Sequence, residues 1–437
     1  MRPLLRGRKG PTRPIRERAV CLAALLLGLA ASAQAQSGAY SKINQYPIPT
    51  ESAFPNGITA GPDAALWFTE SQANQIGRIA TTGAITEYTV PTPHSYPFDI
   101  AAGPDGALWF TELAGNQIGR ITTTGVIAEY AVPTPNSYPK GITAGPDSAL
   151  WFTEEEGPSI GRITTAGIIT EYPLTGLTGY IQYITAGPDG ALWITFLGNE
   201  HSFVLRMTTD GVITAYPVPV PIAYSPQEIT AGPDGALWFA DDDGAIWRIT
   251  TEGGLTRYPV PLRPSGGGTG PITSGPDGAL WFTVTCNPCA HDWVGRITTT
   301  GVITEFPAPT DGSLNGIATG PDGALWITRE AFFPRSGSGI WRIPACGPGF
   351  SASFSGSTLT MNFNLGIDTP ATFNILLYSS AGVSRPFSRA IPAVVPPQSF
   401  TMNWTLPDLG SVTVQPVLTA GPGGAICSQW TTVDTAQ

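Results

Sequence analysis

Charged side chains are scarce in this sequence. They make up 12% of its 437 residues, whereas an average globular protein has about 25%. Acidic residues outnumber basic ones, 32 to 22, for a net charge of −10. A chain of this charge repels polyanions, so nucleic acid and anionic lipid are not expected partners. Nor does any uninterrupted apolar run approach the ~20 residues of a membrane span, and none is predicted.

The first 36 residues have the pattern of a secretory signal. A basic stretch precedes an apolar run from Ala19 to Ala31, which is followed by Ala-Ser-Ala and Ala-Gln-Ala. A membrane anchor is the alternative, but the run is too short for one. Cleavage would remove seven basic residues and one acidic residue, which leaves a net charge of −16. The prediction is an exported protein, either periplasmic or extracellular, with a signal peptide over residues 1–36.

Cysteine is also rare, and four cysteines remain after the predicted cleavage: Cys286, Cys289, Cys346 and Cys427. An exported chain meets oxidising conditions, so disulfides are expected. Four cysteines allow three pairings. We favour Cys286–Cys289 and Cys346–Cys427, because the second pair would join the two ends of a C-terminal segment.

One phrase is abundant. "GPDGALWFTE" occupies residues 103–112, and variants of it bring the number of copies to seven, spaced 42 to 45 residues apart. Periods of this length with several strands per unit are typical of β-propeller blades. In the first unit, strands are predicted over residues 57–60, 65–70, 75–80 and 84–90, with turns rich in Gly, Pro and Asp between them. The sequence therefore predicts an all-β, seven-bladed propeller.

The two ends of the repeat region complement each other. The fourth-strand phrase is missing after the seventh unit, and a matching phrase, "KINQYPIPT", stands at residues 42–50. We expect this N-terminal strand to complete the last blade and close the ring, which removes open sheet edges. The propeller is predicted over residues 37–345.

Features that recur in every blade are interpreted as scaffold. A tryptophan in each second strand is expected to pack between blades. An arginine in each third strand is expected to connect strands or turns through charge-assisted hydrogen bonds. The irregular segments lie in loops of one face of the ring, mostly in blades 4 to 7, and that face is where a ligand is expected.

From about Cys346 the repeat ends, and the chain alternates polar and apolar residues between turns. This pattern predicts a small antiparallel β-sandwich over residues 346–437, similar to immunoglobulin or fibronectin type III modules only in a general sense. Adhesion to a cell-envelope component and simple stabilisation are both open as its role.

The phrases "GITAGPD", "ALWFTE", "NQIGRI" and "VITE" resemble the streptogramin (virginiamycin B) lyase family over about residues 41–345. The resemblance implies a seven-bladed propeller and, for the lyase itself, opening of a cyclic depsipeptide by elimination with Mg²⁺ and without addition of water. It also implies histidines immediately before the "GIT" or "AIT" strand and glutamates at or near the end of "WFTE".

The histidines that the resemblance implies are absent from this sequence. The seven pre-strand positions hold Asn56, Phe98, Lys140, Gln182, Gln227, Gly270 and Asn315. The "WFTE" position holds Glu70, Glu112, Glu154, Phe196, Asp241, Val284 and Arg329. Elimination needs a base that titrates near neutral pH, a role that histidine fills readily and glutamate fills only with a strongly raised pKa. His94, His201 and His291 fall in loops and are interpreted as solvated.

The candidate site residues follow from these two sets of positions. Ligand binding is assigned to Asn56, Gln182, Gln227, Asn315 and Arg329, and the catalytic candidates are Glu112, Glu154 and Lys140. Carboxylate oxygens at the channel mouth would suit Mg²⁺ or Ca²⁺, which makes Glu70, Glu112 and Asp241 the metal candidates. The alternative is that these acids are solvated or pair with Lys140 and Arg329.

These observations favour an exported binding or scaffold propeller, monomeric, which takes a small molecule or a peptide at its channel mouth, or a cell-envelope component. The alternative is an enzyme, either a metal-dependent carbon–oxygen lyase of the streptogramin type or a lactonase-type hydrolase.

Overall fold

The computed structural model describes residues 43–219, 225–261, 268–285, 292–308, 312–330 and 338–343, together with the backbone of eight strands between residues 350 and 433. Its described residues form strands and turns and contain no helix. None of them therefore forms a helix that could cross a membrane. Seven four-stranded antiparallel sheets make up the repeat region.

Blades 1 to 4 each use four consecutive strands. Blade 1 consists of β2 (Pro55–Ala60), β3 (Ala65–Glu70), β4 (Gln75–Ala80) and β5 (Ile85–Thr89). Blade 2 consists of β6 (Pro97–Ala102), β7 (Leu108–Glu112), β8 (Gln117–Ile121) and β9 (Ile127–Ala131). Blade 3 consists of β10 (Pro139–Ala144), β11 (Leu150–Glu154), β12 (Ser159–Ile163) and β13 (Ile169–Pro173). Blade 4 consists of β14 (Gly179–Ala186), β15 (Leu192–Gly198), β16 (Ser202–Met207) and β17 (Ile213–Val218).

Blades 5 and 6 follow the same order, and blade 7 differs. Blade 5 consists of β18 (Pro226–Ala231), β19 (Leu237–Asp241), β20 (Ala245–Ile249) and β21 (Leu255–Pro259). Blade 6 consists of β22 (Thr269–Ser274), β23 (Leu280–Val284), β24 (Trp293–Ile297) and β25 (Ile303–Pro307). Blade 7 contains β26 (Ser313–Thr319), β27 (Leu325–Glu330) and β28 (Gly339–Ile343), and β28 pairs antiparallel with β1 (Asn44–Pro47).

The first strands of the blades form the inner wall of the ring. Each contacts the first strand of the blade before it and of the blade after it, and β26 of blade 7 contacts β2 of blade 1. The prediction of an all-β, seven-bladed propeller is confirmed.

One interaction recurs at the turn between the first and second strands of every blade. In blade 1, Asp63 accepts a hydrogen bond from the indole Nε1 of Trp67 at 3.0 Å and from Nε of Arg78 at 2.7 Å. Burial alone would raise the pKa of the Asp63 carboxyl, but the hydrogen bonds from Trp67 and Arg78 outweigh it and hold the pKa below its usual value. The recurrent arginines therefore connect the third strand to this turn, as expected.

The same Asp–Trp–Arg triad occurs in the other six blades. Its members are Asp105, Trp109 and Arg120; Asp147, Trp151 and Arg162; Asp189, Trp193 and Arg206; Asp234, Trp238 and Arg248; Asp277, Trp281 and Arg296; and Asp322, Trp326 and Arg342.

Packing between blades is also repeated. Trp67 of blade 1 is fully buried in one apolar cluster with Leu108 and Phe110 of blade 2, so the predicted role of the tryptophans in inter-blade packing is confirmed. Tyr88 stacks on Trp67 and reaches the next blade at Gly125. A Cβ at Gly125 would lie 2.1 Å from the Tyr88 ring, and the φ of +90° there is one that glycine adopts readily.

The strands after the repeat region form two antiparallel sheets. One sheet has the order β29-β30-β33, from β29 (Phe350–Ser355), β30 (Thr358–Ile367) and β33 (Val394–Thr405). The other has the order β32-β31-β34-β35, with β36 also paired to β34; its strands are β31 (Ala371–Ser379), β32 (Ser384–Ile391), β34 (Val412–Ala420), β35 (Ile426–Ser428) and β36 (Thr431–Val433).

Candidate functional site

The candidate site lies at one end of the ring, which we call the upper face. There the first strand of each blade begins and the second strand ends; in blade 1, Pro55 pairs with Glu70 at this end. The loops between blades and the loops between second and third strands are both at the upper face. The Asp–Trp–Arg triads are at the opposite, lower face. The irregular loops singled out in the sequence therefore share one face.

A β-bulge shapes the start of every first strand. In blade 1 the register shifts between Pro55 and Ile58, so that Asn56 and Gly57 together oppose the single residue Thr69. Equivalent shifts occur in the other six blades. Bulges re-aim side chains and leave backbone groups without ladder partners. We call the first of the two bulge residues the bulge position, and it is the pre-strand position of the sequence analysis.

A threonine in the second strand satisfies these backbone groups. The Thr153 hydroxyl accepts a hydrogen bond from the Gly141 N–H of its own blade at 2.9 Å and donates to the Gln182 carbonyl of the next blade at 2.8 Å. Thr111 likewise donates to the Lys140 carbonyl at 2.7 Å, and Thr328 to the Asn56 carbonyl at 2.6 Å. One hydroxyl thus fixes two neighbouring bulges, which makes these positions rigid.

The ligand-binding candidates at the bulge positions all make contacts within the protein. Asn56 donates to the Ser71 hydroxyl at 2.7 Å, and Asn315 donates to the Pro55 carbonyl at 3.0 Å. Gln227 donates to the Ser225 carbonyl at 3.4 Å. These side chains lie at equivalent places on blades 1, 7 and 5.

Lys140 and Gln182 interact with each other across blades 3 and 4. The Lys140 ammonium donates to Oε1 of Gln182 at 2.7 Å and to Oε1 of Glu155 at 2.9 Å. It also lies 5.6 Å from the ring centroid of Tyr183 and 5.9 Å from that of Phe98. Lys140 therefore pairs with Glu155, and its charge is held within this cluster.

Glu70, Glu112 and Glu154 have no exposed surface. The structure therefore buries them instead of presenting them at the channel mouth, where they were expected. None of their six carboxyl oxygens has a hydrogen-bond partner. Burial first, and then the neighbouring carboxyl of Glu87, Glu129 or Glu171, raises the pKa of each to about 8. All three are thus neutral at pH 7.

The polar groups next to these buried acids form hydrogen bonds with other residues. Glu129 accepts hydrogen bonds from the backbone N–H of Thr92 at 2.8 Å and from its hydroxyl at 3.0 Å. Ser95 is close enough to lower the pKa of Glu112, but its hydroxyl donates to Asn74 at 3.0 Å. A buried carboxyl without a hydrogen-bond partner therefore sits beside a hydrogen-bonded one in blade 2, and the same pair recurs in blades 1 and 3.

The equivalent residues of blades 5 and 7 are also buried. Asp241 accepts from the Ala245 N–H at 2.9 Å and from the indole of Trp247 at 2.5 Å. Arg329 is 3% exposed, and its guanidinium lies 5.5 Å from the Trp341 ring centroid. The position that carries a neutral acid in blades 1 to 3 therefore carries a hydrogen-bonded aspartate and an arginine elsewhere.

A Mg²⁺ or Ca²⁺ site does not fit this arrangement. Among the residues that the structure describes, no three or more His, Cys, Asp or Glu residues are grouped so as to hold a metal ion. The predicted metal ligands Glu70, Glu112 and Asp241 are therefore not such a group. Hard cations take several carboxylate or carbonyl oxygens at once, whereas these three residues lie on blades 1, 2 and 5 and both oxygens of Asp241 already accept hydrogen bonds.

Three titratable residues on the inner wall of the ring were not predicted from the sequence. Asp99, Tyr183 and Glu228 each follow the bulge position, on blades 2, 4 and 5. Burial raises the pKa of Asp99 to about 6, although its carboxylate accepts from the N–H groups of Ile100 and Ile142. Burial, and then Asp99, raises the pKa of Glu228 well above its usual value. Burial and these two carboxyls also raise the pKa of Tyr183.

These three side chains border the central channel and are therefore half-buried by accessible surface. Protein atoms nevertheless surround them closely enough to shift their pKa values. The signal in the sequence was the break in the "GIT" phrase, which reads "DIA", "YIT" and "EIT" in these blades. Asp99 and Glu228 both raise the pKa of Tyr183, so the three residues influence one another on the inner wall of the ring.

Aromatic residues in a strained backbone conformation precede the first strands of three blades. Phe54, Tyr96 and Tyr138 have φ values of 56°, 57° and 52°. For a bulky residue this left-handed conformation is an outlier. Each instance costs about 1 to 3 kcal/mol and persists only where the surrounding structure enforces it. Such strain gathers at functional sites, so these residues join the candidate site.

The remaining predicted positions are the histidines and the cysteines. His94 and His201 are exposed in loops, whereas His291, Cys286, Cys289 and Cys346 lie outside the described residues. Cys427 is in β35, whose backbone alone is described.

Comparison with known proteins identifies the relatives of this fold. The family model described as the virginiamycin B lyase family matches residues 31–135, 100–266 and 223–332. A streptogramin B lyase structure is 34% identical, covers 69% of this chain and 97% of its own, and superposes with a TM-score of 0.62. Virginiamycin B lyase from Staphylococcus aureus is 37% identical over 70% of this chain and 99% of its own, also with a TM-score of 0.62.

A third similar structure is a catalytically inactive histidine-to-alanine variant of the Staphylococcus aureus enzyme with quinupristin. It is 36% identical over 70% of this chain and 99% of its own, with a TM-score of 0.62. The resemblance seen in the repeated phrases is confirmed. The chain belongs to the virginiamycin B lyase family.

Proposed function

We propose that the protein is a ligand-binding propeller. It recognises a small molecule, a peptide or a cell-envelope component at its upper face and does not open a cyclic depsipeptide. The observation that carries this proposal is the set of seven bulge positions. Threonine hydrogen bonds fix the backbone carbonyls of four of these positions, Asn56, Phe98, Lys140 and Gln182, and none of the seven side chains is a histidine.

Elimination across an ester requires a base that can take a carbon-bound proton near neutral pH. At the bulge positions the one strongly basic side chain is Lys140, whose ammonium is paired with Glu155 and Gln182. Asn56, Gln182, Gln227 and Asn315 are amides, which do not act as bases at this pH. The available groups are donors and acceptors of hydrogen bonds, and these serve recognition better than proton transfer.

The second candidate is an enzyme, either a carbon–oxygen lyase or a lactonase-type hydrolase. The raised pKa of Glu112, about 8, favours it, because a carboxyl of that pKa is a strong enough base once ionised. Against it, Glu112 is neutral at pH 7 and has no exposed surface that a substrate could reach.

Quinupristin distinguishes these functions when it is incubated with the protein, with and without Mg²⁺, and separated by liquid chromatography with mass detection. We expect unchanged quinupristin under both conditions. Elimination would give a new peak of the same mass, and hydrolysis a peak heavier by one water. Either product, formed by the parent protein and lost in Glu112→Gln, would overturn the proposal in favour of the enzyme.

We also propose the layout of the exported chain. Residues 1–36 act as a signal peptide, the propeller covers residues 37–345, and β1 closes the ring by pairing with β28, where Asn44 lies opposite Arg342. Residues 346–437 form a β-sandwich, a proposal supported by the two antiparallel sheets of their backbone. Intact mass measurement of the secreted protein, before and after reduction, tests both the cleavage site and the disulfides Cys286–Cys289 and Cys346–Cys427.

A further inference from the structure

Four aromatic residues occupy one equivalent position on neighbouring blades. Phe54, Tyr96, Tyr138 and Tyr180 each stand two residues before the bulge position of blades 1, 2, 3 and 4. We call this set the aromatic rim. Because the upper face is the end at which the first strands begin, the aromatic rim follows about half of the circumference of that face.

Hydrogen bonds on both sides hold the aromatic rim in place. Before Tyr96, the buried Ser95 donates its N–H and its hydroxyl to Oδ1 of Asn74, at 2.8 and 3.0 Å. The Tyr96 carbonyl accepts from the Leu113 N–H at 3.1 Å, and the buried Pro97 follows. The left-handed conformation of Tyr96 is therefore imposed by its neighbours and persists whether or not a ligand is present.

The same arrangement surrounds Tyr138. Ser137 donates to Oδ1 of Asn116 at 2.8 and 3.0 Å, and the Tyr138 carbonyl accepts from the Glu155 N–H at 3.2 Å. A sequence under no functional constraint would place glycine or asparagine at such a position, because they adopt this conformation with less strain. Retaining a large ring there points to a use for the ring itself.

Two of the four rings are exposed to a ligand, and Phe54 and Tyr96 are half-buried. Tyr138 is 40% exposed and Tyr180 is 48% exposed. The other large exposed apolar residues among those described are aliphatic: Val126, Ile168, Val212 and Val302. All four lie at the turns between third and fourth strands, which are at the lower face. The upper face therefore presents aromatic planes without a large exposed aliphatic side chain in its described part.

Polar groups lie among these rings. Lys140, Glu155 and Gln182 form their hydrogen-bonded cluster directly beside Tyr138, since Lys140 is two residues further along the chain. Burial, and then the Glu330 carboxyl of blade 7, raises the pKa of the Tyr96 hydroxyl. Donors and acceptors thus alternate with flat apolar surfaces.

We propose that the aromatic rim binds a neutral oligosaccharide, whose sugar rings stack on the tyrosines while its hydroxyl groups bond to the neighbouring amide, carboxylate and ammonium groups. The inference rests on the proposed ligand-binding function of the upper face and names the class of ligand. A wholly apolar ligand would cover the polar groups of Lys140, Glu155 and Gln182 without offering them hydrogen bonds, and an anionic one would be repelled by the acidic surface. A sugar, with an apolar face and hydroxyl edges, matches both kinds of group.

The order of the four residues favours a chain over a single sugar. They are carried by consecutive blades at one height, so successive sugar units can each meet one ring. Because hydrogen bonds fix the backbone of Tyr96 and Tyr138 before binding, little ordering of the protein is required when the oligosaccharide binds.

Isothermal titration calorimetry of the full-length protein with cellohexaose, xylohexaose, maltohexaose and N-acetylchitohexaose tests the proposal. We expect at least one hexasaccharide to bind with a measurable dissociation constant. Tyr138→Ala and Tyr180→Ala should each raise that constant by at least about tenfold, whereas Tyr138→Phe, which keeps the ring, should change it about twofold or less. Val126→Ala, an exposed position on the lower face, is the matched control and should bind as the parent does.

Melting curves of every variant accompany the titrations, so that lost binding is compared only between folded proteins. Failure of all four sugars to bind at millimolar concentration would overturn the oligosaccharide assignment. So would binding that Tyr138→Ala and Tyr180→Ala leave unchanged. A third outcome is that quinupristin binds through the same tyrosines and stays unopened, while no sugar binds. This result would overturn only the ligand class and leave the proposed function standing. Ring opening that depends on Glu112 would overturn the function itself.

Discussion

Blades 1 to 3 and blades 4 to 7 share one backbone but differ at the upper face. In the first group every second strand ends in a buried glutamate whose pKa is raised to about 8, beside a second glutamate. In the second group the same place holds Phe196, Asp241, Val284 and Arg329. At the lower face all seven blades keep the Asp–Trp–Arg triad. The difference shows that ring geometry is fixed at the lower face, which leaves the upper face free to vary.

The threonine that links neighbouring bulges shows where this freedom stops. It holds the backbone at bulge positions whose side chains range from Asn56 to Phe98 and Lys140. The chemistry presented to a ligand therefore changes from blade to blade while the position of the backbone does not.

The largest expected effect tests the shared lower face. Trp109→Ala in blade 2 and Trp238→Ala in blade 5 each remove a fully buried side chain and a hydrogen bond to the triad aspartate. Each should lower the free energy of unfolding by about 3 to 5 kcal/mol, by loss of packing. Thermal and denaturant unfolding measure it. A clearly smaller loss in one group of blades would mean that the two groups do not share a scaffold.

The second prediction separates the two groups of blades at the upper face. Glu112 keeps its proton up to about pH 8 in the folded protein, whereas the unfolded chain releases it near pH 4.5. Burial of this acid therefore lowers stability as pH rises through that window. Glu112→Gln should raise the free energy of unfolding by about 3 kcal/mol at pH 7, by more at pH 8, and have little effect at pH 4.5.

Asp241→Asn is the counterpart in blade 5, and the opposite sign is expected. Both Asp241 oxygens accept hydrogen bonds, so the new amide nitrogen would leave one donor without an acceptor. A loss of about 1 to 3 kcal/mol should follow. Urea unfolding at pH 4.5, 7 and 8 measures both variants, and a stabilising Asp241→Asn would refute the distinction between the two groups.

The smallest expected effect concerns the strained loops of blades 1 to 3. Tyr138→Gly and Tyr138→Ala both remove the ring, but only glycine also relieves the φ of 52°. The glycine variant should therefore be more stable than the alanine variant by about 1 kcal/mol. The same pair at Tyr180, whose φ is not in the left-handed region, is the control. Equal melting temperatures for the two Tyr138 variants would argue against strain.

Repetition made the fold predictable. The spacing of the "GPD" turns predicts seven blades, and because recurrent residues must serve a recurrent contact, Trp67 and Arg78 were correctly interpreted as scaffold. The fate of Glu70, Glu112 and Glu154 was not predictable in this way. A glutamate at the end of a strand usually reaches solvent. Only the three-dimensional structure shows that these three are fully buried.

The inner wall of the ring was missed for a related reason. Asp99, Tyr183 and Glu228 are far apart in sequence, and their interaction arises only when blades 2, 4 and 5 meet around the channel. The double hydrogen bond of Thr153 escaped notice as well, because threonine in a strand is ordinary on propensity grounds. Both features depend on neighbours that belong to other repeats.

The contact of Tyr88 with Gly125 has a direction, since blade 1 presents this tyrosine to blade 2 and receives Tyr46 of blade 7 at Gly83. Such a head-to-tail joint is heterologous, and it stays unsatisfied at both ends of any incomplete arc. Fragments of this protein should therefore seek copies of themselves until a circle is complete. A duplicated repeat of 42 residues would likewise be able to pack on both neighbouring blades through the same contact. Gene duplication is therefore a simple way to add blades to this architecture.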